Sequence, residues 1–169
     1  YIIIWASTIP FRFEKGVEEE KNNHRMYYVT TKDFKTFSDT KLYYEPGFSV
    51  IDCVIVKKGK KDYVLVLKDN TRPMRNIKVA FGKSPLGPFS KSSEPLTEYL
   101  SEGPTVVKVG KKWLLYYDNY GSKNYKALST SDFVHFDDVS SKISLPEGHK
   151  HGTITTISEN VLKGLIEKK

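Results

Sequence analysis

The chain repeats itself with a period close to 50 residues, and each repeat opens with a short run of strand-forming residues. From Asp52 to Glu102 is 50 residues (102 − 52), and from Glu102 to His151 is 49 (151 − 102). Strands repeated with a period of about 20 to 50 residues are typical of the blades of a propeller. Equivalent positions of successive blades lie at equal radius around one axis. We therefore expect Asp52, Glu102 and His151 to converge near that axis.

Each repeat contains four short runs that predict strands. The run Tyr63–Asp69 matches Trp113–Asp118, and the opening run Tyr1–Ser7 has the same character. These runs are rich in Tyr, Val, Ile and Phe and are bounded by Gly, Pro, Asn and Ser, which is the pattern of strands and their turns. The sequence therefore predicts an all-β chain. Third strands are predicted to begin at Met26, Ile77 and Tyr125, and fourth strands to lie around 42–44, 88–89 and 134–136.

We interpret the chain as part of a propeller. Residues 1–45 are the remainder of one blade, 46–97 a second blade and 98–147 a third; 148–169 are a closing strand from Gly152 and a tail that ends in a short turn at 161–169. The phase of the repeat places the first strand of the first blade before Tyr1. Propellers close with about 4 to 8 blades, so we expect a partial propeller of roughly three. Its open sheet edges would be covered by a companion chain or by oligomerisation.

The positive charge of the chain does not indicate a nucleic-acid partner. The net charge is +7, but only four of the 27 basic residues are arginines. Many lysines lie at predicted hairpin tips, where they serve solubility, whereas phosphate recognition favours clustered arginine. No apolar run approaches the length of about 20 residues that a membrane-spanning helix needs. We predict no nucleic acid and no membrane as partners. The single cysteine, Cys53, excludes an internal disulfide and is expected to pack in an apolar strand.

Three blade-opening segments resemble those of glycoside hydrolase family 43: Phe48–Asp52, Ser101–Val106 and His151–Thr153. Segments 5–10, 31–37 and 67–69 resemble a subgroup of that family common in bacteria that degrade plant polysaccharides. The resemblance implies a five-bladed β-propeller enzyme that releases arabinofuranosyl or xylosyl units from a carbohydrate substrate with inversion.

The family pattern also implies roles for individual residues. Glu102 matches the general acid that protonates the departing glycosidic oxygen, and Asp52 matches the carboxylate that raises the pKa of this acid and orients it. His151 matches the axial histidine, which in some members lies beside a central cation or its water shell. The resemblance implies no required cofactor, and it allows a structural Ca or Na ion on the axis. The general base of the family is an Asp of the first blade, and no residue of this chain matches it.

The residues alone support a different assignment. Glycoside hydrolysis uses two carboxylates that flank the bond, and Asp52 with Glu102 would form that pair. The phase of the repeat argues that a third carboxylate lies upstream, which favours the family assignment. Further candidates for substrate binding are Trp5, Lys68, Asp69, Asp118 and His151. Packing in the sheet explains Trp5 better than stacking on a sugar does, whereas the other four have turn or core roles that explain them equally well.

Three functional classes remain open at the level of the sequence. The first is a hydrolase of pentosyl linkages, the second is an inert carbohydrate-binding propeller or a truncated gene product, and the third is a basic scaffold for anionic polymers. The joint presence of Asp52, Glu102 and His151 favours the first. His135 and His149 are interpreted as surface residues without an assigned role.

Overall fold

The computed structural model describes residues 1–8, 23–146, 148–149 and 151–167, which form three antiparallel sheets in sequence order. The prediction of an all-β chain is confirmed. Among the described residues, no helix is long and apolar enough to cross a membrane. The first sheet contains β1 (Ile2–Ser7), β2 (Arg25–Thr30) and β3 (Lys41–Tyr44), and the second contains β4 (Val50–Gly59), β5 (Asp62–Asp69) and β6 (Asn76–Gly82). The third contains β7 (Ser101–Val109), β8 (Lys112–Asn119), β9 (Asn124–Thr130) and β10 (Asp137–Asp138), and it is followed by a 3₁₀ turn (Ser140–Lys142) and helix α1 (Glu159–Ile166).

The second sheet is buried on both faces between the other two. Alternate residues of β5 point in opposite directions. Val64 and Val66 pack into a cluster with Leu115 of the third sheet, whereas Leu65 and Leu67 pack into a cluster with residues of the first sheet. All four β5 side chains are fully buried, and each contributes roughly 1.5–3 kcal/mol of hydrophobic stabilisation. The continuous apolar run of β5 therefore fixes the stacking of the three sheets.

The outer edge of the second sheet is covered by hydroxyl groups rather than by a fourth strand. The side chains of Ser90, Ser93 and Thr97 accept hydrogen bonds from alternate amides of β6. The strand expected at 88–89 is reduced to one bridge between Gly82 and Phe89. The Phe89 ring lies so close that a Cβ on Gly82 would be 2.8 Å from it. The expected ladder does not form, because side chains have taken the amides that it would use.

A shared turn follows β2 of the first sheet and β9 of the third. In each turn one carboxylate oxygen, of Asp33 or of Asp132, accepts the amides two and three residues further on. We call these the aspartate turns. The turn of Asp132 engages the amides of Val134 and His135, so the fourth strand expected at 134–136 is wrong. The fourth strand is β10 instead, which begins at Asp137, directly after the expected run.

The closing strand expected from Gly152 is not formed in the described residues. The amide of Gly152 donates to the Tyr125 hydroxyl at 3.1 Å, and the amide of Ile154 donates to Thr105 Oγ1 at 3.2 Å. These amides are bound by side chains of the third sheet, so no main-chain ladder forms. Helix α1 then starts at its cap Ser158 in place of the expected terminal turn, of which 168–169 lie outside the described residues.

Candidate active site

Two matching β-bulges position the site. The register between β4 and β5 shifts between Ile51 and Val54, and the register between β7 and β8 shifts between Glu102 and Thr105. In each bulge one residue has a positive φ, which is 53° for Asp52 and 57° for Gly103. A bulge bends its strand and re-aims the side chains beside it. The same backbone device thus turns both strands at the end of the sheet where the candidate residues lie.

The bulges correct the spacing read from the sequence. Ile51 pairs with Lys68, and Glu102 pairs with Asp118, so the position equivalent to Glu102 is Ile51, and that of Asp52 is Gly103. The equal phase of Asp52 and Glu102 was therefore wrong by one residue. The hairpin between β4 and β5 holds an additional residue, at the register shift between Lys57 and Gly59. This residue lengthens the spacing by one, so that Asp52 and Glu102 are equivalent only in the sequence count.

The Glu102 carboxylate lies between two donors from different parts of the chain. Its Oε2 accepts from Lys68 Nζ of the second sheet at 2.6 Å, and its Oε1 lies 3.0 Å from His151 Nε2. The Lys68 side chain is buried, and its ammonium also lies 5.4 Å from the centre of the Tyr120 ring. A buried lysine requires a compensating charge. Glu102 supplies that charge, so the pair also links the second sheet to the third.

Asp118 completes a cluster of titratable side chains on the third sheet. Its Oδ2 lies 3.5 Å from His151 Nε2, and ligand atoms of Glu102, Asp118 and His151 all lie within 4.8 Å of one another. Among the described residues, two carboxylates and one imidazole converge here, and the Lys68 ammonium already binds one Glu102 oxygen. This is fewer than the about 6 to 8 oxygen ligands that calcium takes.

Asp52 reaches the site through the backbone of the neighbouring bulge. Its Oδ2 accepts a hydrogen bond from the amide of Gly103 at 3.1 Å. This bond joins the two bulges and holds the residue that directly follows Glu102. Burial, and then the adjacent Asp52 charge, raise the pKa of the Cys53 thiol. Cys53 packs against the core between the first two sheets, as its apolar context predicted.

Two of the sequence candidates have other surroundings. Asp69 accepts the amide of Thr71 at 2.9 Å and the ammonium of Lys78 at 2.8 Å, which is the turn role that the sequence left open. Trp5 lies opposite Tyr27, with the two rings 6.4 Å apart. Its neighbours in β1 pack toward the second sheet, so Trp5 faces the opposite side. Ile9 and Pro10 of the motif segment 5–10 lie outside the described residues.

The structure adds one residue that the sequence reading missed. Tyr125 accepts the amide of Gly152, and its ring lies 5.4 Å from that of His149. His149 is exposed, as expected, but it belongs to the segment that carries His151 over the third sheet. The signal for Tyr125 was its pairing with Asp118 across β8 and β9. That pairing depends on strand register, which a single sequence does not specify.

Solved structures with a similar fold are glycoside-processing enzymes. A crystal structure of a glycosyl hydrolase from Bacteroides ovatus matches with a TM-score of 0.58 and 16% identity, over 82% of this chain and 44% of that chain. A second match comes from work on the GH130 family of mannoside phosphorylases, which contains glycoside hydrolases that target β-1,2-mannosidic linkages in Candida mannan. Its TM-score is 0.52 with 15% identity, over 73% of this chain and 42% of that one. This chain thus spans less than half the length of either structure, and its three sheets match part of a propeller-fold glycosyl hydrolase, as the sequence predicted.

Comparison with the sequences of curated proteins finds no match. A family model described as "Probable glycosyl hydrolase domain", which is related to glycoside hydrolase family 43, matches residues 1–162. The resemblance to family 43 is therefore confirmed at the level of this related family. Because the match extends over most of the sequence, the chain belongs to this family of glycosyl hydrolase domains.

Proposed function

We propose that this chain carries the proton donor of a glycosidase, and that the donor is Glu102. The observation that supports this role is the position of its carboxylate, which lies beside a bulge and is held by Lys68 at 2.6 Å and His151 at 3.0 Å. General acid catalysis requires a carboxyl group that is fixed in direction and accessible to the leaving oxygen. Glu102 meets both conditions, because it is anchored by two donors and is not fully buried.

The two donors of Glu102 differ in how easily a substrate displaces them. The Lys68 side chain is 3% exposed, whereas the His151 side chain is 51% exposed. We propose that the glycosidic oxygen takes the place of the His151 ring at Oε1. Glu102 then passes a proton, taken up from solvent at Oε1, to this oxygen as the glycosidic bond breaks, and is left as the carboxylate. Lys68 keeps Oε2 in place throughout.

Asp52 acts as a positioning residue in this proposal. Its bond to the Gly103 amide fixes the bulge that directs Glu102. Asp118 is not the second catalytic carboxylate. Carboxylate oxygens of Glu102 and Asp118 lie within 4.8 Å of each other, closer than the about 6.5 to 9.5 Å that separates an inverting acid from its base.

We propose pentosyl substrates, either α-L-arabinofuranosides or β-D-xylosides, and hydrolysis with inversion. The resemblance of the blade-opening segments to glycoside hydrolase family 43 supports this substrate class. Inversion needs a general base about 6.5 to 9.5 Å from the acid, with a water between them. In this proposal Asp52 and Asp118 have other roles, so the base is a carboxylate outside the Glu102 cluster.

The test is the configuration of the first product. Full-length protein is incubated with nitrophenyl arabinofuranoside, xyloside and mannoside, and the released sugar is followed by proton NMR before mutarotation. We expect pentose release with inverted configuration, and loss of the activity on an unactivated xylo- or arabino-oligosaccharide in Glu102→Gln. Glu98→Gln is the matched control, because Glu98 is also paired with a lysine, Lys126, but lies outside the cluster. Retention, or no hydrolysis of any of the glycosides, would refute the proposal, and the second result would favour an inert carbohydrate-binding propeller.

A further inference from the structure

One row of side chains crosses the third sheet from the candidate acid to an aromatic wall. Glu102 of β7 pairs with Asp118 of β8, and Asp118 pairs with Tyr125 of β9. Directly opposed residues of neighbouring antiparallel strands project from the same face of the sheet. The row therefore leads from the carboxylate that the proposed function uses to a tyrosine two strands away.

The far end of this row opens into a cavity of about 940 Å³. Asp118, Tyr120, Tyr125, Asn124 and His149 belong to its lining. Ligand sites are typically about 300 to 1,000 Å³, so the cavity has room for more than one sugar ring. Because Asp118 belongs both to the cavity lining and to the Glu102 cluster, the cavity adjoins the candidate site directly.

The lining combines the two kinds of surface that a sugar needs. The rings of Tyr120, Tyr125 and His149 offer flat apolar faces, on which the C–H face of a sugar ring packs. The buried Asp118 carboxylate and the Asn124 amide offer acceptors and donors for hydroxyl groups. Lys123 and Lys126 also line the cavity, so charges of both signs face it. A neutral glycan, rich in hydroxyl groups, can hydrogen-bond to both kinds of charge without bringing a like charge against either.

We infer that this cavity is a glycan subsite that holds neutral sugar residues adjoining the bond cleaved at Glu102. The inference rests on the proposed function, and it extends that function from one sugar to an oligosaccharide. A polymer or oligosaccharide chain would run from Glu102 along Asp118 and rest on Tyr125, so longer substrates bind better than single sugars.

The segment that carries His151 couples the subsite to the acid. The His149 ring packs on Tyr125, and the Gly152 amide donates to the Tyr125 hydroxyl, while His151 between them contacts Glu102. A Cβ at position 152 would lie 2.6 Å from His149 Nε2, so a side chain there would push the His149 ring out of its place. A sugar seated on Tyr125 therefore touches the same segment that places His151 against the acid.

The test measures how binding depends on the length of the ligand. Xylose, xylotriose, arabinose and α-1,5-arabinotriose are titrated by calorimetry into the full-length protein carrying Glu102→Gln, so that the ligand is not consumed. We expect at least one trisaccharide to bind about tenfold or more tightly than its monosaccharide. Tyr125→Ala is expected to remove this gain, and Tyr125→Phe to keep most of it because the ring remains. His149→Ala, at an exposed position, should weaken trisaccharide binding even if Tyr125→Ala folds poorly.

The matched control is Tyr99→Ala, since Tyr99 is an exposed tyrosine outside the cavity. Trisaccharides that bind no better than monosaccharides, or that lose as much affinity with Tyr99→Ala as with Tyr125→Ala, would overturn the subsite. So would tighter binding of trigalacturonate, an anionic trisaccharide. The two proposals fail separately. Glu102-dependent hydrolysis without length dependence refutes only the subsite, whereas Tyr125-dependent binding in a protein that hydrolyses none of the glycosides refutes only the hydrolase.

Discussion

The second and third sheets share one backbone plan and fill it with opposite chemistry. The rung beside the bulge is Ile51 with Lys68 in the second sheet and Glu102 with Asp118 in the third. The left-handed position is held by Asp52 in one bulge and by Gly103 in the other. The second sheet thus has Lys68 where the third has Asp118. Lys68 then pairs with Glu102 across the gap between the two sheets.

The difference teaches how a repeated fold makes an asymmetric site. The bulge bends both strands in the same way, whichever pair of residues lies beside it. Asp52 occupies a backbone region that costs a non-glycine residue roughly 1–2 kcal/mol, although Asp tolerates it better than most. This strain is balanced by the bond from the Gly103 amide, which the other bulge donates. Each sheet therefore contributes what the other lacks.

The largest expected effect comes from removing the cation of the second sheet. Lys68→Met should lower the free energy of unfolding by about 1–3 kcal/mol, because it leaves a partly buried carboxylate without its main partner. It should also lower kcat at least tenfold, since the proposed acid loses its anchor. Thermal unfolding and steady-state kinetics on one glycoside measure both.

The matched change is Lys78→Met, in the same sheet. Lys78 pairs with Asp69 at 2.8 Å, away from the Glu102 cluster. Its stability loss should be comparable, with kcat nearly unchanged. If both variants lose the same activity, the Lys68 pair is structural and the contrast between the two sheets has no catalytic meaning.

The next largest effect comes from substituting the positive-φ residue of each bulge. Gly103→Ala places a side chain at φ 57°, with its Cβ 3.6 Å from the His151 ring, and should cost roughly 1–2 kcal/mol of stability. Asp52→Gly relaxes the strain at φ 53° but removes the acceptor of the Gly103 amide, so its stability should change by less than about 1 kcal/mol. Denaturant unfolding compares the two, and the reverse order would show that the bulges are not equivalent.

The repeat predicted the sheets better than it predicted the site. The continuous apolar run of β5 and the turn residues around it specify a strand locally, as do the corresponding runs of the other two sheets. The partner of Lys68 is Glu102, which is 34 residues away in another sheet. Only the stacking of the two sheets brings these side chains together. The offset of Asp52 depends on one additional hairpin residue, which shifts the register without altering the strand pattern. The strand expected at Gly152 failed because a hydroxyl of the third sheet, that of Tyr125, binds its amide.

The smallest effect concerns the aspartate turns, which occur in the first and third sheets but not in the second. Amides of Thr36 and Lys35 lower the pKa of Asp33 to about 2, and the His135 side chain, followed by nearby amides, lowers that of Asp132. Both carboxylates are more acidic in the folded protein than the unfolded value of about 3.9. Their stabilisation is therefore complete above about pH 4 and is lost as the pH falls toward 2.

Asp33→Asn and Asp132→Asn should each lower the thermal midpoint at pH 7, and the difference from the unmodified protein should shrink between pH 4 and 2. Ser84→Ala, at the corresponding turn of the second sheet, changes a hydroxyl that binds the Leu86 amide, and its effect should not depend on pH in this range. A pH-independent effect for both aspartate variants would mean that the turns do not depend on the carboxylate charge.

The most direct test of the account is the dependence of Glu102→Gln on the leaving group. General acid catalysis contributes about 10²–10⁴-fold when the leaving oxygen needs a proton, whereas a nitrophenolate departs largely without one. Full-length Glu102→Gln should therefore lose at least about a hundredfold in kcat/KM on an unactivated arabino- or xylo-oligosaccharide and retain most of the activity on the matching dinitrophenyl glycoside. Equal losses on the two substrates would contradict the account, because Glu102 would then not be the proton donor.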